Sequence, residues 1–238
     1  MENLTQSNVN TASAYFNENW QRYLSAVRNN TLYHREMMSA LQRFLSMNMK
    51  DKPFLFVDVG CGDSSNVAPI LADTPIKKYI GIDAAKDVLL MASNTLAHLG
   101  CEKDFIANNM TTAIPNLLLP VDIIFTSYAV HHLSSQDKIN FIATCKQKLK
   151  PNGFLLMVDG VLKHNQSRDE WLDNLQARMA ETNPDVASDE IAARMEHPRI
   201  DDFPESIETF AKIAEQQSWK DFQVIVDKGI FAFMVFSK

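Results

Sequence analysis

Gly60 and Gly62, with an acid, Asp83, 21 positions beyond the second of them, are the residues of this chain whose type and spacing speak most directly of chemistry. The glycines close the run Phe54-Leu55-Phe56-Val57-Asp58-Val59, and Ser64-Ser65-Asn66 leads from them into Val67-Ala68-Pro69-Ile70-Leu71. The run is apolar without helical spacing and begins after Pro53, so it reads as a short strand buried on both faces. Strand, glycine turn and helix make a cradle for a nucleotide-type ligand. Glycine lets the backbone approach with no Cβ in the way, while loop amides and the helix start face the ligand. Asp83 ends a second apolar run, Lys78-Tyr79-Ile80-Gly81-Ile82. An acid about 20 residues past a glycine loop stands at the tip of the second strand, where it accepts bonds from ribose hydroxyls. Two plainer roles stay open: a glycine pair also serves an ordinary strand-to-helix turn, and Asp83 could cap the helix after it.

The elements that must hold these residues follow from pattern. Phe16, Trp20, Tyr23, Leu24 and Val27 recur at helical spacing with Tyr15 beside them, and Met37, Leu41, Phe44 and Leu45 mark a second helix. Residues 84–99 read as a helix stopped by Gly100, and Phe105-Ile106-Ala107 as a third strand. Val121 to Ser127 is a fourth strand that runs into Tyr128-Ala129-Val130-His131-His132-Leu133. Ser134 with Asp137 looks like the start of a capped helix, and Phe154 to Val158 is a fifth strand closed by Asp159-Gly160. Residues 163–199 are polar and helical, a long excursion for a connection. Asp202-Phe203-Pro204 then reads as the start of a further helix. The chain ends in two strand-like runs about Asp227-Lys228-Gly229, a hairpin.

Val57-Asp58-Val59-Gly60-Cys61-Gly62-Asp63-Ser64 resembles the signature of the class I S-adenosylmethionine-dependent methyltransferases, acid-x-Gly-x-Gly-x-Gly, with Ser64 at the third glycine. Leu149-Lys150-Pro151-Asn152-Gly153 looks like the family's Leu-Lys-Pro-Gly-Gly turn, and the terminal hairpin is typical of it. The resemblance covers roughly residues 54 to 160 and, more loosely, 200 to 238. It implies an α/β fold: a doubly wound, seven-stranded, mostly parallel sheet with a C-terminal antiparallel hairpin and helices on both faces. It implies S-adenosyl-L-methionine as cofactor. Asp58 with Gly60, Cys61 and Gly62 would hold the methionine end, Asp83 and Ala84 the ribose, Asn109 and Met110 the adenine, and Ser127 would border the sulfonium. Residues 1–50 would form a helical lid carrying Tyr15, and residues 51–238 the core, with 163–200 inserted as a substrate cap. Tyr15, Tyr128 and Arg168 are the candidate acceptor-binding residues. An amine or stabilised carbanion would need little help beyond position, whereas a hydroxyl would want a base, for which His131, Asp159 and His164 are the candidates.

Totals narrow the partners. Net charge is −6 and the pI about 5.5, which argues against nucleic acid, although a tRNA-modifying enzyme stays as the alternative to a small-molecule one. A nicotinamide-dependent oxidoreductase would want glycine at 65, where Ser65 stands, and would lack the hairpin; a cofactor-binding protein without turnover also stays open. Three widely spaced cysteines with no CxxC give no metal motif and suit a reducing, cytoplasmic setting. The polar start and the lack of a long apolar run speak against a signal or membrane span. The acceptor and the oligomeric state are not written in the sequence.

Overall fold

The computed structural model describes residues 23–238. Tyr15, the expected lid residue, lies outside them. After a helical stretch at residues 23–28 come helix α1 (His34–Asn48), strand β1 (Phe54–Val59), helix α2 (Ala68–Ala72), β2 (Ile76–Asp83) and α3 (Lys86–Thr95). Next are β3 (Glu102–Ala107), a short α4 (Met110–Ala113), β4 (Val121–Ser127), α5 (Ser135–Lys148) and the long β5 (Leu149–Leu162). Three helices follow, α6 (Arg168–Thr182), α7 (Ser188–Arg194) and α8 (Glu196–Asp201). The chain closes with β6 (Glu205–Ser206), α9 (Ile207–Gln216), β7 (Asp221–Asp227) and β8 (Phe231–Ser237).

The sheet runs β3-β2-β1-β4-β5-β8-β7, seven strands, with the two-residue β6 joined to the side of β5 as an eighth. Neighbours from β3 to β5 are parallel, and β8 pairs antiparallel with both β5 and β7. This is the expected doubly wound sheet with its terminal hairpin. Strand order turns back between β1 and β4. In such a sheet the crevice outside the carboxyl ends of these two strands is where ligands bind.

Side chains alternate across the pleat and split the core in two. Phe54 and Phe56 of β1, with Phe231 and Phe233 of β8, pack on one face against α1 and α6. Val57 and Val59, with Met234 and Phe236, pack on the other against α5 and α9. Both faces are therefore covered, which is why these strands read as continuous apolar runs. Gly160 lies under Trp171 of α6, whose ring carbon an added Cβ would meet at 3.0 Å. The Trp171 indole donates to the Ile230 carbonyl at 3.0 Å and ties the polar 163–199 excursion to the sheet.

One expected element is different. No helix begins at Asp202-Phe203-Pro204: Glu205–Ser206 is a strand, and the helix starts at Ile207 with the Ser206 hydroxyl accepting from the Thr209 amide at 3.1 Å. A serine that can accept at the N-cap outranks a proline, which only tolerates the first turn. Among the described residues no helix is long and apolar enough to cross a membrane.

Candidate active site

β1 delivers the chain to Val59 and then must turn at once. Gly60 does so at φ +70°, where a Cβ would stand 2.9 Å from that of Ala129, so glycine is required on both conformational and steric grounds. The Gly60 and Cys61 amides donate to the Ile82 carbonyl at 2.8 and 3.1 Å. The Gly62 amide donates to Asp83 Oδ2 at 3.0 Å, while Asp83 Oδ1 accepts from the Ala85 amide at 2.9 Å. Asp83 thus clamps the glycine turn and steadies the start of α3 with one carboxylate. A carboxylate offers about four lone-pair sites, so two bonds leave acceptor capacity on a group that lines a cavity. Burial pushes its carboxyl up, against the pull of these amides.

Ser64 stands where the resembled signature has its third glycine, and it adopts a left-handed φ of +59°. A serine there is strained, and the surroundings hold it. Its hydroxyl lies 2.8 Å from the Tyr79 hydroxyl, which donates to Asp58 Oδ2 at 2.8 Å. The chain Ser64–Tyr79–Asp58 is buried from end to end. Burial raises the Asp58 carboxyl to about 7; the Tyr79 bond opposes this and nearby Asp83 adds to it.

A cavity of about 530 Å³ opens at the switch point. Asp58, Gly60, Cys61, Gly62, Asp83 and Ala84 line it from β1, β2 and their loops. Asn109 and Met110 line it at the start of α4, and Ser127 and Tyr128 at the tip of β4. Asn109 Oδ1 accepts from the Thr111 amide at 2.8 Å and the Thr111 hydroxyl at 2.9 Å, so the oxygen expected to receive an adenine amine already holds two donors. Tyr128 also has a left-handed φ, +54°, and its hydroxyl donates to the Leu32 carbonyl at 2.8 Å. Strain of this kind gathers at functional sites. Tyr23, from the helical stretch ahead of α1, lines the cavity too, and its hydroxyl accepts from Asn66 at 3.3 Å.

The remaining candidates stand elsewhere. His131 is buried and bonds through Nδ1 to Asp159, which is also buried; neither is in the cavity wall. Burial would lower His131, but Asp159 and Asp202 outweigh it and raise the imidazole to about 9. His164 is a surface side chain, 78% exposed, beside Glu208. Arg168 gives its guanidinium to the carbonyls of Asp202, Arg199 and Pro198 at 2.7, 2.7 and 3.1 Å, and so fixes the C-terminal end of α8. Helix α8 itself brings His197 and Asp201 to the cavity wall, together with His132. Burial and neighbouring His131 lower His132 to about 4. Sequence alone gave no sign that residues 197–202 return to His131 and His132, because the contact spans some seventy positions between polar segments. Tyr23 was visible only as one aromatic in a helical stripe.

An open, mostly parallel sheet ending in an antiparallel hairpin, with a glycine turn clamped by the acid of the next strand, is an architecture this chain shares with solved methyltransferases. The profile of the family described as "Methyltransferase domain" matches residues 57–155. An uncharacterized methyltransferase, YrrT, of Halobacillus halophilus is 22% identical over 161 residues, 68% of this chain and 72% of that protein. Among solved structures, the plantazolicin methyltransferase BpumL, in complex with a substrate analogue and SAH, superposes with a TM-score of 0.64 at 13% identity, over 98% of both chains. Magnesium protoporphyrin IX methyltransferase from Synechocystis, with bound SAH, gives 0.63 at 11% identity, over 96% of this chain and 99% of that one. In fold and in the matched segment, residues 57–155, the chain is similar to the class I S-adenosylmethionine-dependent methyltransferases.

Proposed function

We propose that this protein binds S-adenosyl-L-methionine in the switch-point cavity and methylates a small-molecule acceptor at an oxygen, nitrogen or carbon. The observation that carries this is the Gly62–Asp83 bond, which joins the glycine turn to an acid with acceptor capacity left for two ribose hydroxyls. The cavity volume lies within the range of small-ligand sites, about 300–1,000 Å³. Asp58 and the Gly60–Gly62 turn hold the methionine end, Asp83 the ribose, Asn109 and Met110 the adenine, with Ser127 beside the sulfonium.

The cofactor supplies a methyl group on a sulfonium leaving group. What the chain contributes is position: an acceptor held in line at close range gains about 7–11 kcal/mol against the reaction in water. Tyr128, held by Leu32, and the wall of His132, His197 and Asp201 shape the acceptor side. The helices of residues 163–200 cap that side, and from the described part of the lid segment, residues 23–50, Tyr23 reaches the cavity. The net charge of −6 favours a small molecule over RNA.

Incubation with methyl-tritiated S-adenosylmethionine and, in parallel, a small-metabolite extract and total RNA checks this. Label is expected in the small-molecule fraction. Label in RNA alone would make the protein a tRNA-type enzyme, and no transfer despite cofactor binding would make it a sensor.

A further inference from the structure

Against the acceptor wall of the cavity, His131, His132 and Asp202 present one donor atom each, all within 4.8 Å of one another. Asp202 Oδ1 lies 3.3 Å from His132 Nδ1 and 3.6 Å from His131 Nε2. Donors bound to one tetrahedral zinc at 2.0–2.1 Å are about 3.3 Å apart, close to the two separations from Asp202 Oδ1. Asp202 is 6% exposed, and its Oδ1 has no hydrogen-bond partner of ordinary geometry. The other ring nitrogen of His131, Nδ1, is bonded to the buried carboxylate of Asp159. A carboxylate behind a ligating histidine fixes the tautomer and aims the free nitrogen, the arrangement common at metal centres. His132 Nδ1 donates to the Asp201 carbonyl at 3.1 Å, and ligation through Nδ1 would release that proton.

Charge points the same way. Asp159 and Asp202 bring two carboxylates into a nearly dry region. Lys138, also buried, gives its ammonium to the Phe203 carbonyl, with Glu205 3.8 Å away. Two histidine nitrogens and a carboxylate oxygen suit a borderline divalent cation better than magnesium or calcium, which prefer all-oxygen sets. Arg168 holds three carbonyls at the C-terminal end of α8 and so keeps Asp202 facing the histidine pair.

We propose that His131, His132 and Asp202 bind a divalent transition cation of the zinc class, oriented by Asp159. His132 and Asp201 also line the cavity, so the ion would lie where an acceptor oxygen approaches. That last point rests on the proposed methyl transfer; the metal site itself does not.

Tag-free protein is titrated with Co²⁺, followed by its visible ligand-field bands, and with Zn²⁺ in competition. One equivalent with four- or five-coordinate bands is expected. Asp202→Asn and His132→Gln should abolish the bands, and Asp159→Asn should weaken binding about 10- to 100-fold. Far-UV circular dichroism and thermal unfolding check that each variant is folded. Absence of bands in the wild type, or equal Co²⁺ affinity in a folded Asp202→Asn variant, overturns the site. Intact metal bands with no affinity for S-adenosylhomocysteine would sink the methyl-transfer reading and leave the metal site standing.

Discussion

Replacing Asp83 by asparagine tests the clamp on the glycine turn. The carboxylate accepts two amide donors, Gly62 at 3.0 Å and Ala85 at 2.9 Å. Asparagine keeps the shape but has one oxygen, so its NH₂ must face one of the two N–H groups. A hydrogen bond to a charged group is worth about 1.5–3 kcal/mol, and the abandoned donor is partly buried. A loss of about 2 kcal/mol follows. For a chain of this size that lowers Tm by about 4–8 °C. If the turn must be ordered to bind, the same loss weakens S-adenosylhomocysteine about 30-fold, before any lost ribose bond is added. Calorimetry on the folded variant reads the affinity, and scanning fluorimetry reads the Tm. An affinity within about twofold of wild type in a folded variant would refute the claim that Asp83 organises this site.

Gly60→Ala places a Cβ 2.9 Å from that of Ala129 at a φ of +70°. The left-handed conformation alone costs about 1–2 kcal/mol, so Tm should fall by about 5 °C or more, with loss of S-adenosylhomocysteine binding. Asp58 has a folded pKa of about 7, well above its value of 3.8 in an unfolded chain, because burial penalises its charge. Ionising it costs the empty protein stability as pH rises through that window, and a bound ammonium offsets the cost. Cofactor affinity should therefore drop by up to about tenfold per pH unit below about 7, and Asp58→Asn should flatten the profile measured by calorimetry. His34, packed on Tyr128 at 4.5 Å between ring centres, is held down to about 4 by burial, with neither ring nitrogen hydrogen-bonded. Its folded pKa lies below the unfolded 6.5, so stability should be lost as pH falls between these values, by up to about 3 kcal/mol. Thermal denaturation across that range checks it, and His34→Leu should remove most of the slope.

Much of the fold was legible because buried parallel strands are apolar runs and glycine turns are conspicuous. Residues 54–59, 121–127 and the terminal hairpin could be read in this way. Gly60, Gly62 and Asp83 could be picked out because their roles are local or at a fixed spacing. The third glycine's replacement looked like a departure in Ser64. Its accommodation depends on Tyr79, a core residue whose hydroxyl only the packed structure relates to Asp58. His131 looked like a base and is instead bound to Asp159 inside the fold, while its neighbour His132 reaches the cavity. Adjacent residues point in different directions, and sequence does not say which one faces the ligand. Arg168 was a candidate acceptor-binding residue; its partners are backbone carbonyls some thirty residues away, which no pattern announces.

A crystal structure of the protein grown with S-adenosylhomocysteine tests the central claim most directly. The account predicts the adenosyl group in the crevice between β1 and β4, its ribose hydroxyls on the Asp83 carboxylate and its amino-acid end against Gly60–Gly62. An adenosyl group bound elsewhere, or a crevice left without it at saturating ligand, would contradict the account.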